Sequence, residues 1–319
     1  MTDIEKAFRN GTLDVFDIDK KNVQKLTHYL VDANTGEITQ NLYEGTQIRT
    51  AMQTQAAIRY RRATEAQMSY GAFTFLFFTP LQDLGFDISL PSYTRLMYAS
   101  TFLTYDGYLG DISVGGIRPF SRNRLRDKMK LTDTRFDEFW SEMVSSGIFR
   151  LETIRDEITN RNIRAIFLDD TKFRKGFIDT SVDRSFIRLN AEGVQSLYET
   201  CTSARTHKTL AYIFKIIPWV NREWNIACKN PEERDYDAIR YLRLGEFADM
   251  VGYSRDNAKR LAKELNSVRF EWHGREQAAF IYMTNAPDRP EEWIIAVNPR
   301  VYYAGQNFEL LRIPDCGRH

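Results

Sequence analysis

The 319-residue chain has few cysteines and no long apolar run. Its three cysteines, Cys201, Cys228 and Cys316, are odd in number and far apart, which argues against a disulfide framework and is typical of a reducing compartment. The most apolar run, Phe73–Phe78, is too short to cross a bilayer. The first residues also lack the pattern of a signal peptide. We therefore expect a cytoplasmic protein without a membrane partner.

Motifs of several enzyme classes are missing as well. The chain has no Gly-x-x-x-x-Gly-Lys-Ser/Thr loop that could hold nucleotide phosphates. Its four histidines form neither the His-x-His pair of a rolling-circle nuclease nor the His-x-x-Arg of a tyrosine recombinase. Cys201 and His207 cannot make a zinc site alone, and Asp169 and Asp170 would point apart on an extended segment. We expect no enzymatic activity, no cofactor and no metal.

The composition is that of a globular protein, with 43% apolar and 27% charged residues. The net charge is +1, because 44 basic residues nearly balance 43 acidic ones. This sum does not exclude nucleic-acid binding, since the distribution of charge matters more than the total.

Residues 244–265 have the pattern of a helix-turn-helix. Apolar residues recur at helical spacing in a first helix, and Gly252 follows where the chain must turn. Ser254 is placed to cap a second helix, residues 254–265, whose apolar residues again share one face. Arginine recognises guanine and asparagine recognises adenine in a major groove, so we expect this second helix to bind double-stranded DNA. The side chains on its outer face are Arg255, Asn257, Lys259, Arg260 and Lys263.

The order of elements predicts a winged helix in residues 71–180. Three helices are expected near residues 92–103, 121–129 and 132–146, and a β-hairpin of residues 148–154 and 163–168 follows them. Three helices followed by a hairpin that forms a wing is the winged-helix order.

The same order recurs in residues 181–319. Helices near 189–201 and 208–219 precede the helix-turn-helix, and a hairpin of strands 268–272 and 279–283 follows it. The loop 273–277 would be the tip of this wing, where His273 and Arg275 could reach a minor groove.

Residues 1–70 form an N-terminal extension in this scheme. Two strand-like runs, 26–31 and 37–42, flank a turn, and a basic helix is expected over residues 46–68. The predicted fold class is therefore α+β and mostly helical, with two tandem winged-helix domains after the extension.

The two candidate recognition helices differ in charge. Helix 254–265 carries four basic and two acidic residues, whereas helix 133–146 carries one basic and four acidic residues. Because DNA phosphates repel an acidic helix, the first domain should contact DNA through other residues or contact a protein instead. The candidate DNA contacts in the first domain are Arg122, Arg124 and Arg161.

A closing motif follows the second predicted wing: Asn298-Pro299-Arg300-Val301-Tyr302-Tyr303-Ala304-Gly305. With the basic helix-turn-helix before it, this motif resembles the C-terminal domain of Gram-positive plasmid replication initiators of the RepL type, whose relatives occur in bacteriophages. The resemblance covers residues 185–305, and the tandem order is similar to two-winged-helix initiators of theta-replicating plasmids. The extra first domain and the insertion 219–241 depart from the RepL pattern. The resemblance implies a DNA-binding protein of a mobile element.

We therefore expect a sequence-specific DNA-binding protein of a phage or plasmid that acts as a replication initiator. A transcriptional repressor or activator is the alternative, and a protein-interaction module is the alternative of another class. Besides DNA, the expected partners are a second copy of the chain and a host replication or transcription protein.

Overall fold

The computed structural model describes residues 71–305, except for 114–115, 157, 177–184, 202, 254–256 and 285–286, and four strands before residue 71. The chain divides into two compact units, Met1–Gln67 and Met68–His319.

In the first unit, strand β1 (Leu13–Asp17) pairs antiparallel with β4 (Thr46–Thr50), and β2 (Tyr29–Val31) pairs with β3 (Ile38–Asn41). The second pair confirms the expected hairpin. The helix expected over residues 46–68 is wrong at its start, where β4 alternates β-branched residues and extends along β1. Arg49 of that expected basic helix lies in β4, and residues 51–68, with its other arginines, lie outside the described residues.

The described part of the second unit contains seven α-helices and twelve strands. The mostly helical composition expected above is wrong, because 70 described residues of this unit lie in α-helices and 56 lie in strands. The helices are α1 (Leu90–Ser100), α2 (Arg122–Met129), α3 (Asp133–Ser145), α4 (Ala191–Thr200), α5 (Ala204–Lys215), α6 (Leu244–Met250) and α7 (Ala258–Asn266). The strands are β5 (Phe73–Phe78), β6 (Gly110–Ser113), β7 (Gly116–Pro119), β8 (Phe149–Asp156), β9 (Arg161–Leu168), β10 (Phe173–Arg174), β11 (Ser185–Asn190), β12 (Arg269–Trp272), β13 (Arg275–Ala278), β14 (Phe280–Met283), β15 (Ile294–Val297) and β16 (Tyr302–Tyr303).

A four-stranded sheet with the order β10-β5-β11-β16 joins the two halves of this unit. Its central strands run antiparallel, with Phe73 opposite Asn190 and Phe78 opposite Ser185. Strand β10 returns to β5 at the end of the first half, and β16 returns to β11 at the end of the second. Each half therefore contributes one opening and one closing strand to the same sheet.

The first half places α1, the β6–β7 hairpin, α2, α3 and the β8–β9 hairpin in that order. Ser121 caps α2 by accepting a hydrogen bond from the Arg124 backbone N–H. The chain before β6 pairs with β9, where the Leu109 N–H donates to the Ile166 carbonyl at 2.8 Å. The extended segment that precedes α2 and α3 is therefore hydrogen-bonded to β9, the second strand of the hairpin that follows them.

The second half repeats this connection. The Leu244 N–H, at the start of α6, donates to the Trp293 carbonyl at 2.8 Å. The backbone of Arg243 forms an antiparallel β-bridge with that of Ile294 in β15. Part of the insertion 219–241 also pairs with β15, because the Ala227 N–H donates to the Ile295 carbonyl at 2.8 Å.

Helices α1 and α5 pack together beneath the sheet and connect the halves. The Thr94 hydroxyl donates to the His207 carbonyl at 2.7 Å. The rings of Tyr98 and Tyr198 stack at 3.9 Å, and the His207 ring stacks on Tyr198 at 4.8 Å. Burial, together with the nearby guanidinium of Arg95, lowers the pKa of His207 to about 4. His207 is therefore a neutral residue of the contact between the halves.

We predict that this contact weakens in acid. Unfolded His207 takes up a proton near pH 6.5, whereas folded His207 resists protonation down to about pH 4. Its contribution to stability is therefore complete above pH 6.5 and is lost progressively between pH 6.5 and 4, by up to about 3 kcal/mol. Urea unfolding across this range should reveal the loss. The free energy of unfolding of the His207→Gln variant should fall by about 3 kcal/mol less over this pH range. An equal fall in the two proteins would contradict the prediction that His207 causes the loss.

Candidate nucleic-acid interface

Helices α6 and α7 are joined by a compact glycine turn. Gly252 has a φ of 82°, a left-handed conformation that favours glycine. Its N–H donates to the Asp249 carbonyl at 3.2 Å, and the Tyr253 N–H donates to the Ala248 carbonyl at 2.8 Å. This pair of hydrogen bonds is a Schellman motif, which ends α6 and redirects the chain. The expected glycine turn is confirmed.

The helix pair has one buried and one exposed face. Of the apolar residues expected to face the core, Val251 is only half-buried. The others are buried, and they are Leu244, Phe247, Ala248, Ala258, Leu261, Ala262 and Leu265. Burying side chains of this kind, at about 1.5–3 kcal/mol for each large one, holds α7 against α6. The predicted outer-face residues Asn257, Lys259, Arg260 and Lys263 are all exposed.

The two lysines supply uncompensated positive charge. Lys259 and Lys263 lie one helical turn apart on α7, and no described carboxylate forms an ion pair with either. Arg260 differs, because its Nε donates to Glu264 at 3.2 Å. The helix therefore presents two ammonium groups and one carboxylate-bound guanidinium on the same exposed face.

Helix α7 begins at Ala258, four residues later than the sequence predicts, and Asn257 occupies the N-cap position. Ser254 and Arg255, two of the predicted contacts, lie outside the described residues.

The predicted second wing is wrong in its pairing. Strands β12 and β13 are joined by a two-residue turn, His273-Gly274, in which both residues have positive φ angles. Strand β14 pairs instead with β15, across residues 284–293. The prediction failed for two reasons. A two-residue turn that begins with histidine is not a common hairpin signal. The strand that pairs with β14 also lies ten residues further along the chain.

The β12–β13 hairpin lies against α4. The Glu271 N–H donates to the Ser196 hydroxyl at 2.9 Å, and the Thr200 hydroxyl donates to the Arg269 carbonyl at 3.0 Å. His273 lies 3.6 Å from the Glu192 carboxylate. Thus His273 lines a cleft of about 890 Å³ between α4 and the loop after α1, while Arg275 is exposed on β13.

Residues 284–293, which connect β14 and β15, are acidic. Arg289 pairs with Glu292 at 2.9 Å, and Arg243, before α6, lies 3.7 Å from the same carboxylate. Asp288 and Glu291 are also exposed in this connection. It therefore offers no surplus positive charge for phosphates.

In the first half, two predicted DNA contacts are engaged within the protein. Arg122 pairs with Asp137 of α3 at 2.5 Å, and its guanidinium lies over the Trp140 ring. Arg124 pairs with Asp111 of β6 at 3.0 Å. Two acidic residues of α3, Asp137 and Asp133, pair with Arg122 and Arg126 of the preceding basic helix, and Asp111 of β6 pairs with Arg124, which individual residue charges could not reveal.

Arg161 has a different environment at the tip of the β8–β9 hairpin. It is exposed together with Arg155 and Arg164. Asp156 is turned inward, where it accepts hydrogen bonds from the Thr159 hydroxyl at 2.7 Å and the Ile158 N–H at 3.0 Å. The bond from Thr159 holds the pKa of Asp156 below its usual range. Among its described residues, the hairpin tip is therefore a second basic surface.

The closing motif has internal roles. The Asn298 amide donates to the Ala278 carbonyl at 2.9 Å, and the Tyr302 hydroxyl donates to the Ile213 carbonyl at 2.9 Å. Gly305 has no room for a side chain, because a Cβ atom there would lie 2.1 Å from the Arg222 carbonyl oxygen. These residues attach the end of the domain to α5 and to the insertion.

Comparison with protein-family models, curated proteins and solved structures finds no match to this chain. Within the described residues, no helix has the length and apolar character needed to cross a membrane. The same residues contain no group of three or more His, Cys, Asp or Glu side chains placed to hold a metal ion.

We predict that Arg124 contributes to stability and Arg161 does not. Replacing Arg124 by Ala leaves the half-buried Asp111 with Lys128 as its remaining cation and removes packing on Phe120, at a cost of about 1 kcal/mol. Arg161→Ala, the matched control, should change the free energy of unfolding by less than about 0.5 kcal/mol. Urea unfolding measures both, and equal effects would contradict the distinction.

Proposed function

We propose that this chain is a sequence-specific double-stranded DNA-binding protein. The observation that carries the proposal is the exposed face of α7, where Lys259, Arg260 and Lys263 lie on a rigid helix after a glycine turn. Ammonium groups bind phosphate oxygens, and guanidinium groups bind guanine edges in the major groove. Both kinds of contact are available on this one face.

The arrangement of both halves supports the assignment to tandem winged helices. In each half, a strand segment before a helix pair is hydrogen-bonded to the second strand of the hairpin that follows. The β8–β9 hairpin is the wing of the first half, and β14–β15 is the wing of the second. The β12–β13 hairpin is an addition between recognition helix and wing.

The two halves bind DNA by different means in this proposal. Helix α7 enters a major groove and recognises bases. The first half contributes the arginines of its wing, Arg155, Arg161 and Arg164, which suit a minor groove or the phosphate backbone. Helix α3 stays away from DNA, because it retains exposed carboxylates such as Glu138.

The biological role we propose is initiation of replication of a phage or plasmid. The RepL-type resemblance of residues 185–305 supports this role. The chain also carries two unlike basic surfaces, so one molecule should recognise an asymmetric DNA site, and several molecules would require direct repeats. A symmetric dimeric regulator would instead require an inverted repeat.

We predict that exposed lysines on α7 govern the salt dependence of binding. The Lys259→Ala, Lys263→Ala variant should lose two phosphate contacts, so the slope of log affinity against log salt should become shallower by about 2. Selection of a binding site from a duplex library, followed by a salt titration, measures this slope.

The control variant is Arg234→Ala, Arg240→Ala, which removes the same charge from exposed positions of the insertion. It should leave the slope nearly unchanged. Failure of the native protein to bind any duplex at low salt would refute the proposal. Selected direct repeats would support initiation, whereas an inverted repeat would favour transcriptional regulation.

A further inference from the structure

The carboxylate of Glu264 lies at the centre of a hydrogen-bonded group on α7. One oxygen accepts from Arg260 Nε at 3.2 Å, and the other accepts from the Tyr253 hydroxyl at 2.8 Å. Arg205 of α5 lies 3.7 Å from the first oxygen. The Glu264 side chain is only 18% exposed, whereas that of Arg260 is 66% exposed. The carboxylate is therefore fixed by the protein, and the guanidinium extends from it to the surface.

This contact uses one part of the guanidinium and leaves the rest available. Only Nε of Arg260 bonds to Glu264, and the two terminal nitrogens make no hydrogen bond to a described residue. Binding of guanine by arginine uses two donors together, one to N7 and one to O6. Holding the group at Nε restricts the side chain before DNA arrives, which reduces the conformational entropy lost on binding.

Tyr253 connects this group to the turn. Its backbone N–H completes the Schellman motif by donating to Ala248, and its ring packs edge-on against Tyr212 of α5 at 6.0 Å. Burial opposes ionisation of Glu264, but the hydrogen bonds from Tyr253 and Arg260 outweigh it and hold the pKa of Glu264 below its usual range. Glu264 thus remains an anion that is anchored from the protein side.

We propose that Glu264 is a positioning residue that orients Arg260 for recognition of a guanine, with Tyr253 holding Glu264 in place. The inference rests on the proposed DNA-binding function and deepens it by assigning a preferred base to one side chain. A plain salt bridge within a helix would add only a small increment to stability and would have no effect on base preference.

The test compares specific and non-specific binding for Glu264→Gln, which keeps the size of the side chain and removes its charge. The probes are the duplex selected from a library by the native protein, the same duplex with each base pair changed in turn, and a scrambled duplex. We expect affinity for the selected duplex to fall about tenfold and discrimination at one G·C pair to disappear. Affinity for the scrambled duplex should stay equal or rise, because a negative charge has been removed.

A double-mutant cycle identifies the partner. In an Arg260→Ala background, Glu264→Gln should cause no further loss of discrimination at that G·C pair. Lys259→Ala provides the contrast, since it should weaken binding to all duplexes alike. Tyr253→Phe removes the hydrogen bond to Glu264 without a change of charge, so it should reduce discrimination at the same G·C pair by a smaller factor. It replaces Glu264→Gln as the test if that variant does not fold.

The positioning role would be overturned if folded Glu264→Gln kept its full discrimination at every base pair. It would also be overturned if the affinity of this variant rose equally for all duplexes. A continued effect of Glu264→Gln without Arg260 would overturn it as well. Absence of any sequence preference in the native protein would instead refute the proposed function, so the two failures are distinguishable.

Discussion

The second unit depends on the antiparallel pairing of β5 with β11. These strands come from different halves of the unit, and β10 and β16 each add the closing strand of one half. Alternation along the strands sends Leu76 and Ile187 into the core. Helices α1 and α5 meet there, and the α2–α3 and α6–α7 pairs are attached to the same core. One folded unit thus carries both basic surfaces, so in the proposed complex a single loss of rotational and translational freedom would serve both contacts.

Local signals in the sequence predict local structure in this chain. The helix-turn-helix follows from apolar spacing and from Gly252, because both determine structure within a few residues. The β8–β9 hairpin is predictable for the same reason, since adjacent β-rich runs pair across a short turn. Strand β4 was missed, because Thr46–Thr50 lacks helix breakers and its partner, Leu13–Asp17, is distant along the chain. Strand pairing between segments that are distant along the chain is therefore harder to predict than helices and short hairpins.

The candidate site was predictable in residue type but not in electrostatic environment. The exposed positions of α7 follow from helical periodicity alone. The neutralisation of Arg122 by Asp137 does not, because it requires knowing how α2 packs on α3. The sequence placed His273 at the tip of a wing, and this error also arises from contacts that are distant along the chain. The predicted wing required β12 to pair with β14. In the structure β12 pairs with β13, and β14 pairs with β15 across a connection of ten residues, 284–293.

Internal neutralisation explains how a chain of net charge +1 can carry the exposed basic face for which we propose DNA binding. Several acidic groups of the first half pair with basic neighbours, as Asp133 does with Arg126, and Asp111 alone serves both Arg124 and Lys128. Exposed ion pairs such as that of Arg122 cost little to separate. Releasing that arginine to a phosphate, however, would expose the Asp137 carboxylate to the same phosphate and cancel the gain. In the proposed complex the first half therefore gains affinity only through its hairpin tip, and base recognition remains with α7.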